Sequence, residues 1–342
     1  QVVRRQRQMC IRDRPFAIQA PDILRFGQTT SEAVVSTVSE RRKRMKKILL
    51  ATLAGGLTLI MSASAFAADV TMRISLQLPM KSHLGQNLAL FKDEVESKSG
   101  GDIVVEIYDS AQLYKDKEVP AAVGSGAIEA GVASLTRYVG DIPAVDIFYQ
   151  PFLFDTEDKV RKAVAKGSPI RGPIDEAIKG TGSTVLWWQA YGGAIMLSKG
   201  GPISNPDDMK GKKVRVFGKT LGQFVEATGG APTLISGSEQ YLAYQRGTVD
   251  VGMTGVSGVK SRKLYEVMDT ITVTNHADIE FIVVVNSDWW AGLTDGQRKI
   301  ISDAAGVAET SVRNKMSEIE AGAYEVAKAN GMKVVVLSLI HI

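Results

Sequence analysis

A chain of 342 residues, 44% of them hydrophobic, can bury sizeable cores and suggests about two domains, which excludes a disordered protein. Its formal charge of +4 is concentrated at the start: residues 1–67 hold 12 of the 41 basic and 4 of the 37 acidic residues, leaving 29 basic against 33 acidic side chains, a net of −4. That balance removes the case for a nucleic-acid or anionic-membrane binder.

Residues 1–44 are basic, lack apolar periodicity and read as a non-native upstream segment, and 338–342 read as a non-native tail; both resemble translated sequencing adapter. From Met45-Lys46-Lys47 the chain runs into an apolar stretch at 48–61 and then Ala65-Phe66-Ala67. Positive start, short apolar centre and Ala-x-Ala ending make 45–67 a cleavable signal peptide, too short to span a bilayer of about 20 residues. The expectation is a periplasmic protein beginning at or near Ala68. Its mature part lacks cysteine, since Cys10 is the only one, which fits export without disulfides.

Residues 70–78 alternate like a strand up to Pro79, and Leu84, Leu88, Phe91 and Val95 then recur at helical spacing until Gly100-Gly101. Strand-like 102–108, helical 117–125 and a small-residue strand at 127–133 follow. Thr156-Glu157-Asp158 has the acidic first turn of a helix running to Gly167, and 183–190 reads as a buried strand. In Val214-Arg215-Val216-Phe217 alternation puts the two valines on one face and Arg215 beside Phe217 on the other. A guanidinium takes a carboxylate with two parallel bonds, although spacing alone also allows an ordinary salt bridge at a strand end. Beyond it come helices at 220–228 and from Ser238 to Gly247, a strand at 249–253, a helix through Val267, and strands at 270–274 and 279–286. Thr294 with Gln297 opens a long helix that Gly331 stops. Such strand-helix alternation argues for largely parallel α/β sheets.

Gly218-Lys219-Thr220 is no phosphate loop, because Lys213 stands where its first glycine must be, and Gly124, Gly126 and Gly131 lack the dinucleotide fingerprint. His83, His276 and His341 have no Glu or Cys at ligand spacing and no nucleophile-elbow serine, so neither a metal, another cofactor nor catalysis is expected. Trp187-Trp188 and Tyr191 end a predicted strand, where ligands sit in open α/β sheets; one tryptophan is expected in the core and Trp188 or Tyr191 at the site. Trp289-Trp290 reads as packing.

Phe152-Leu153-Phe154 after a proline, Lys210-Gly211-Lys212-Lys213-Val214-Arg215-Val216, Gly247-Thr248-Val249-Asp250, Lys263-Leu264-Tyr265-Glu266-Val267 and Thr274-Asn275-His276, in this order, resemble the solute-binding proteins of TRAP transporters. That family includes C4-dicarboxylate and sialic-acid receptors. The resemblance implies two α/β lobes closing on an organic acid held by Arg215, and delivery to membrane permease subunits. Ile195 stands where many members carry a second arginine, and Gly252-Met253-Thr254-Gly255 replaces a Gln-Glu-Asn-Pro run, so a small mono- or simple dicarboxylate is expected over a sugar acid. The helix-turn region that usually follows the family's last strand is absent after Val336, so a truncated reading frame is expected.

The reading is thus a two-lobed periplasmic-binding-protein fold of mixed and parallel sheets joined by crossing strands and a hinge. Lobe I is expected at 68–192 plus 281–320, and lobe II at 193–280 plus 321–337. Candidate ligand-binding residues are Arg215, Gln77, Arg137, Trp188, Tyr191, Phe217 and Thr254, in a monomeric receptor with no enzymatic activity. A secreted α/β hydrolase or a sensor's ligand-binding module are the alternatives.

Overall fold

The computed structural model describes residues 70–337; the expectations for the signal peptide, the segment before it and the tail fall outside them. The described strands are β1 (Val70–Ser75), β2 (Ile103–Tyr108), β3 (Ala130–Ser134), β4 (Ser183–Ser198), β5 (Lys213–Val216), β6 (Ala231–Leu234), β7 (Val251–Gly255), β8 (Thr270–Val273), β9 (Asp278–Asn286) and β10 (Lys333–Val336). Around them lie helices α1 (His83–Ser99), α2 (Val119–Gly124), α3 (Glu157–Val164), α4 (Arg171–Lys179), α5 (Lys219–Ala227), α6 (Gln240–Gln245), α7 (Val256–Ser261), α8 (Ser287–Gly292) and α9 (Asp295–Ala329).

Local chemistry sets the ends of the helices. Ser82 caps α1 by accepting from Gly85 N, Leu84, Leu88, Phe91 and Val95 form its buried stripe, and Gly100 ends it in the left-handed region at φ 62. Thr294 and Gln297 form the reciprocal capping box of α9. Among the described residues no helix is long and apolar enough to cross a membrane.

The sheet is mixed rather than largely parallel. β1 pairs parallel with β2 and β3, whereas β9 runs antiparallel to both β3 and β4. On the other side β5 pairs parallel with β6 and β7, and β4 runs antiparallel to β7 and β8. β4 belongs to both halves: it pairs with β9 through Gly193 and with β7 from Ala194 onward. The expected strand end at 190 is therefore a bend. Gly192 sits at φ 91, where a register shift lets the backbone turn and resume pairing, a conformation that a side chain would strain.

Two apolar cores flank that bend. One gathers Met72, Ile74, Phe91, Phe148, Trp187 and Val283; the other gathers Ile195, Leu197, Tyr244, Leu264, Ile271 and Met332. Helix α9 runs behind both, placing Ile301 and Ala304 in the first and Ala323 and Ala327 in the second.

Candidate functional site

The parallel strands of the two halves end toward one another, and the loops beyond their carboxyl ends enclose a pocket of about 310 Å³. Such ends are where open α/β sheets place ligands. Gln77 and Leu78 come from beyond β1, Asp116 from the β2–α2 loop and Ser134 from the end of β3. Arg215, Phe217, Thr254, Gly237 and Arg262 close it from the other half, and Tyr191, Ile279 and Phe281 line it near the bend.

Arg215 is the centre of this arrangement. Val214 and Val216 are buried in the core, so alternation turns Arg215 and Phe217 toward the pocket, with the guanidinium carbon 5.3 Å from the Phe217 ring centre. Nε donates to Ile235 O at 3.0 Å and Nη1 to Met253 O at 2.5 Å. Among the described residues Nη2 has no acceptor and no carboxylate lies within ion-pair distance. Arg215 is only 3% exposed, and burial, with Arg262 and Arg137 nearby, pulls its pKa down to about 10. It stays charged at neutral pH, desolvated and without a carboxylate partner among the described residues.

The other expected residues divide. Gln77, Tyr191, Phe217 and Thr254 line the pocket with Arg215; Gln77 Oε1 is buried without a partner. Arg137 stands one layer back: its Nε donates to Asp116 Oδ2 at 2.5 Å, and Asp116 also accepts from Ser134 N at 2.8 Å. Trp188 is not at the pocket. Successive residues of β4 point to opposite faces, and Trp188 is fully buried with its Nε1 on Asp175 Oδ1 at 2.8 Å, its ring edge-on to Phe148 and Arg171 over its face at 5.4 Å. Trp187 is equally buried, bonded to Asn87 Oδ1, so both tryptophans are core and Tyr191 alone of that aromatic run reaches the pocket. Ile195 is also buried, in the second core, and is not among the residues lining the pocket.

The sequence reading missed Arg262. It follows α7 immediately; Nη1 donates to Gly237 O at 3.0 Å and to Gln240 Oε1 at 2.5 Å, and Nη2 donates to Thr254 Oγ1 at 2.8 Å and to the Tyr191 hydroxyl at 3.2 Å. A side chain on Gly258 would overlap Nη2, so that glycine makes room for the guanidinium. The available signal was its place directly before Lys263-Leu264-Tyr265, but no periodicity marks a residue at the end of a six-residue helix.

Two of the larger hollows suit an organic acid less well. A recess of about 690 Å³ near Gly192 and Gly193 is lined by Asp155, Glu157, Asp278, Glu280 and Glu320 against Arg161 and Arg313. Its arginines are already paired, with Glu157 and Glu280. An open groove of about 1700 Å³ beside α1 and α9 offers Lys81, Lys260 and Lys315, all solvent-exposed. Among the described residues no cluster of His, Cys, Asp and Glu could hold a metal ion.

The two described histidines serve packing. His83 Nε2 donates to Ala190 O at 3.1 Å with its ring 5.0 Å from Tyr191, and His276 Nδ1 lies 2.7 Å from Thr274 Oγ1. Burial pushes both pKa values down to about 4. An unfolded imidazole protonates near 6.5, so between those values the unfolded chain binds more protons and stability falls as pH drops from about 6.5 to 4. Thermal melts of the parent are expected to show this acid-side loss, with a shallower slope in His276→Gln; equal slopes would place the loss elsewhere.

Residues 74–342 match the family described as bacterial extracellular solute-binding protein, family 7. The chain is 31% identical over 243 residues to the C4-dicarboxylate-binding periplasmic protein DctP of Rhodobacter capsulatus, covering 70% of this chain and 72% of that one. It is 27% identical over 297 residues to the sialic acid-binding periplasmic protein SiaP of Vibrio cholerae, covering 85% and 89%. Its fold is that of a TRAP periplasmic solute binding protein from Shewanella oneidensis with bound succinate, with a TM-score of 0.76 at 24% identity over 80% of this chain and 89% of that one. With a mixed α/β fold whose strand ends converge on a buried cationic pocket, the chain belongs to the family 7 extracellular solute-binding proteins, the periplasmic receptors of TRAP transporters.

Proposed function

We propose that this protein captures a small organic acid in the pocket between the two halves of its sheet and delivers it to a TRAP-type membrane permease. The observation that carries the reading is Arg215: buried, charged, held by two backbone carbonyls and, among the described residues, without a carboxylate partner. A desolvated cation of this kind is stabilised by several kcal/mol when a carboxylate joins it with good geometry. Phe217 and Phe281 cover apolar carbons, while Gln77 and Thr254 stand where oxygen substituents would fall. Relatives named for C4-dicarboxylate and sialic acid support an acid as the ligand, and the small pocket favours the shorter kind.

Two lobes meeting at the β4 bend, split at 192/193 as the change of pairing partner suggests, open and close around the acid. The protein acts as a monomer and as a receptor rather than a hydrolase, a reading supported by the family match and by relatives named as solute- and dicarboxylate-binding proteins.

The test is a thermal-shift screen of the chain from Ala68 against short carboxylic acids and sialic acid, alongside a generic esterase assay. At a ligand concentration 100 times Kd the gain is about 2.7 kcal/mol. For a domain of this size that raises Tm by roughly 5–10 °C. Ester turnover, or no shift with any acid at millimolar concentration, would refute the reading. Expression from Met45 in a Gram-negative host should give periplasmic protein starting at or near Ala68, and retention of 45–67 in soluble cytoplasmic product would refute export.

A further inference from the structure

We propose that Arg262 receives a second anionic group, so that the pocket selects acids with two carboxylates over acids with one. The inference rests on the reading of Arg215 as anchor of the first carboxylate. Charge balance carries it. Of the charged groups in and behind the pocket, Asp116 and Arg137 neutralise one another at 2.5 Å, and Arg215 and Arg262 remain with only neutral acceptors among the described residues. One monocarboxylate leaves one of these two cations without a counter-charge; a dianion answers both.

The tethers also put the two guanidiniums close together. Arg215 is held by the carbonyls of Ile235 and Met253, and Arg262 by the carbonyl of Gly237 and the hydroxyl of Thr254. Each pair of tethers is thus one or two residues apart on the same segments, and two residues of extended chain span only about 7 Å. A short diacid has that reach. Four acceptors fix the Arg262 side chain in advance, which lowers the ordering cost of binding, and its Nε is buried without a partner.

The probes are malonate, succinate and glutarate, each paired with its monomethyl ester, titrated calorimetrically into the parent, Arg262→Gln and Arg262→Lys, with circular dichroism as folding control. For the best-bound diacid the parent is expected to prefer the diacid over its half-ester by about 30-fold or more, the scale of losing one buried charge-assisted pair. In Arg262→Gln that preference should shrink to within about 3-fold, and in Arg262→Lys it should be partly kept, because charge survives without the planar fork. A purely structural Arg262 would weaken both probes equally and leave their ratio intact, which overturns the proposal. A parent that binds half-ester and diacid alike also overturns it while leaving the carboxylate reading standing. If no probe binds and Arg215→Ala changes nothing for any acid, the carboxylate reading itself falls.

Discussion

Arg215→Ala is expected to reduce affinity for the best organic acid by roughly 30-fold to several-thousand-fold, a loss of about 2–5 kcal/mol. The size follows from burial. The ligand carboxylate enters a space where Arg215 is 3% exposed, and without the guanidinium it is left desolvated and short of donors. Lysine is not a substitute. Nε and Nη1 are committed to Ile235 O and Met253 O while Nη2 stays open, a division of labour that one ammonium cannot reproduce. Arg215→Lys should therefore also bind substantially more weakly. Without ligand the alanine variant loses two hydrogen bonds, each worth about 0.5–1.5 kcal/mol, but it also sheds an unpaired buried charge, so its Tm should stay near the parent's. Titration of the three proteins, with circular dichroism as control, decides the matter. If Arg215→Ala binds within about 3-fold of the parent, only about 0.7 kcal/mol, the anchor lies elsewhere.

The parts of this molecule that were legible in the sequence are those governed by local chemistry. The stripe Leu84, Leu88, Phe91 and Val95 and the Thr294–Gln297 box specify their helices without help from the rest of the chain. Alternation around Arg215 likewise suffices to turn it away from Val214 and Val216. What escaped depends on distant partners. Gly192-Gly193 ends a strand by any local rule, yet β4 continues because β7 and β8 offer new edges beyond the bend. β6 is short and largely exposed, with Pro232 inside it, so it carries no strand pattern and exists only as the edge neighbour of β5. Trp188 and Tyr191 look equally suited to a site wall, and only the packing of α4 beneath Trp188 separates them. Arg262 went unnoticed because its role is defined by Tyr191, Gly237, Gln240 and Thr254, none of them nearer than eight positions in sequence.

Asp146→Ala is expected to weaken ligand binding by about 10- to 100-fold, although Asp146 is not among the residues lining the pocket. Asp146 follows β3, and its buried carboxylate accepts from Thr136 Oγ1 at 2.9 Å on its own side. From the other half it accepts from Thr220 N at 3.2 Å and Thr220 Oγ1 at 2.6 Å. Thr220 lies in the first turn of α5, whose cap residue Gly218 provides no side-chain bond, so Asp146 answers an orphan N–H and the positive end of that helix from across the cleft. Thr136 packs so tightly against Gly218 that a Cβ there would lie 2.6 Å from Oγ1. Directly before α5 come Arg215 and Phe217, and Phe217 meets Tyr149 edge-on at 5.8 Å. The latch thus joins the segment that carries the proposed anchor to the opposite half, and in the proposed opening and closing its bonds form only when the two halves are together. Water replaces them on opening, which leaves a net contribution to closure of about 1.5–3 kcal/mol. Apparent affinity falls with the fraction of closed protein, so that difference passes directly into Kd. The change should appear mainly in the dissociation rate, since encounter with the open cleft does not require the latch. Thr220→Val, which keeps the backbone N–H but loses the hydroxyl, should fall between parent and Asp146→Ala. Stopped-flow association and dissociation rates, with thermal melts of the ligand-free proteins, separate closure from simple helix capping: a capping role lowers Tm and leaves both rates alone, and that pattern would remove Asp146 from the closing mechanism.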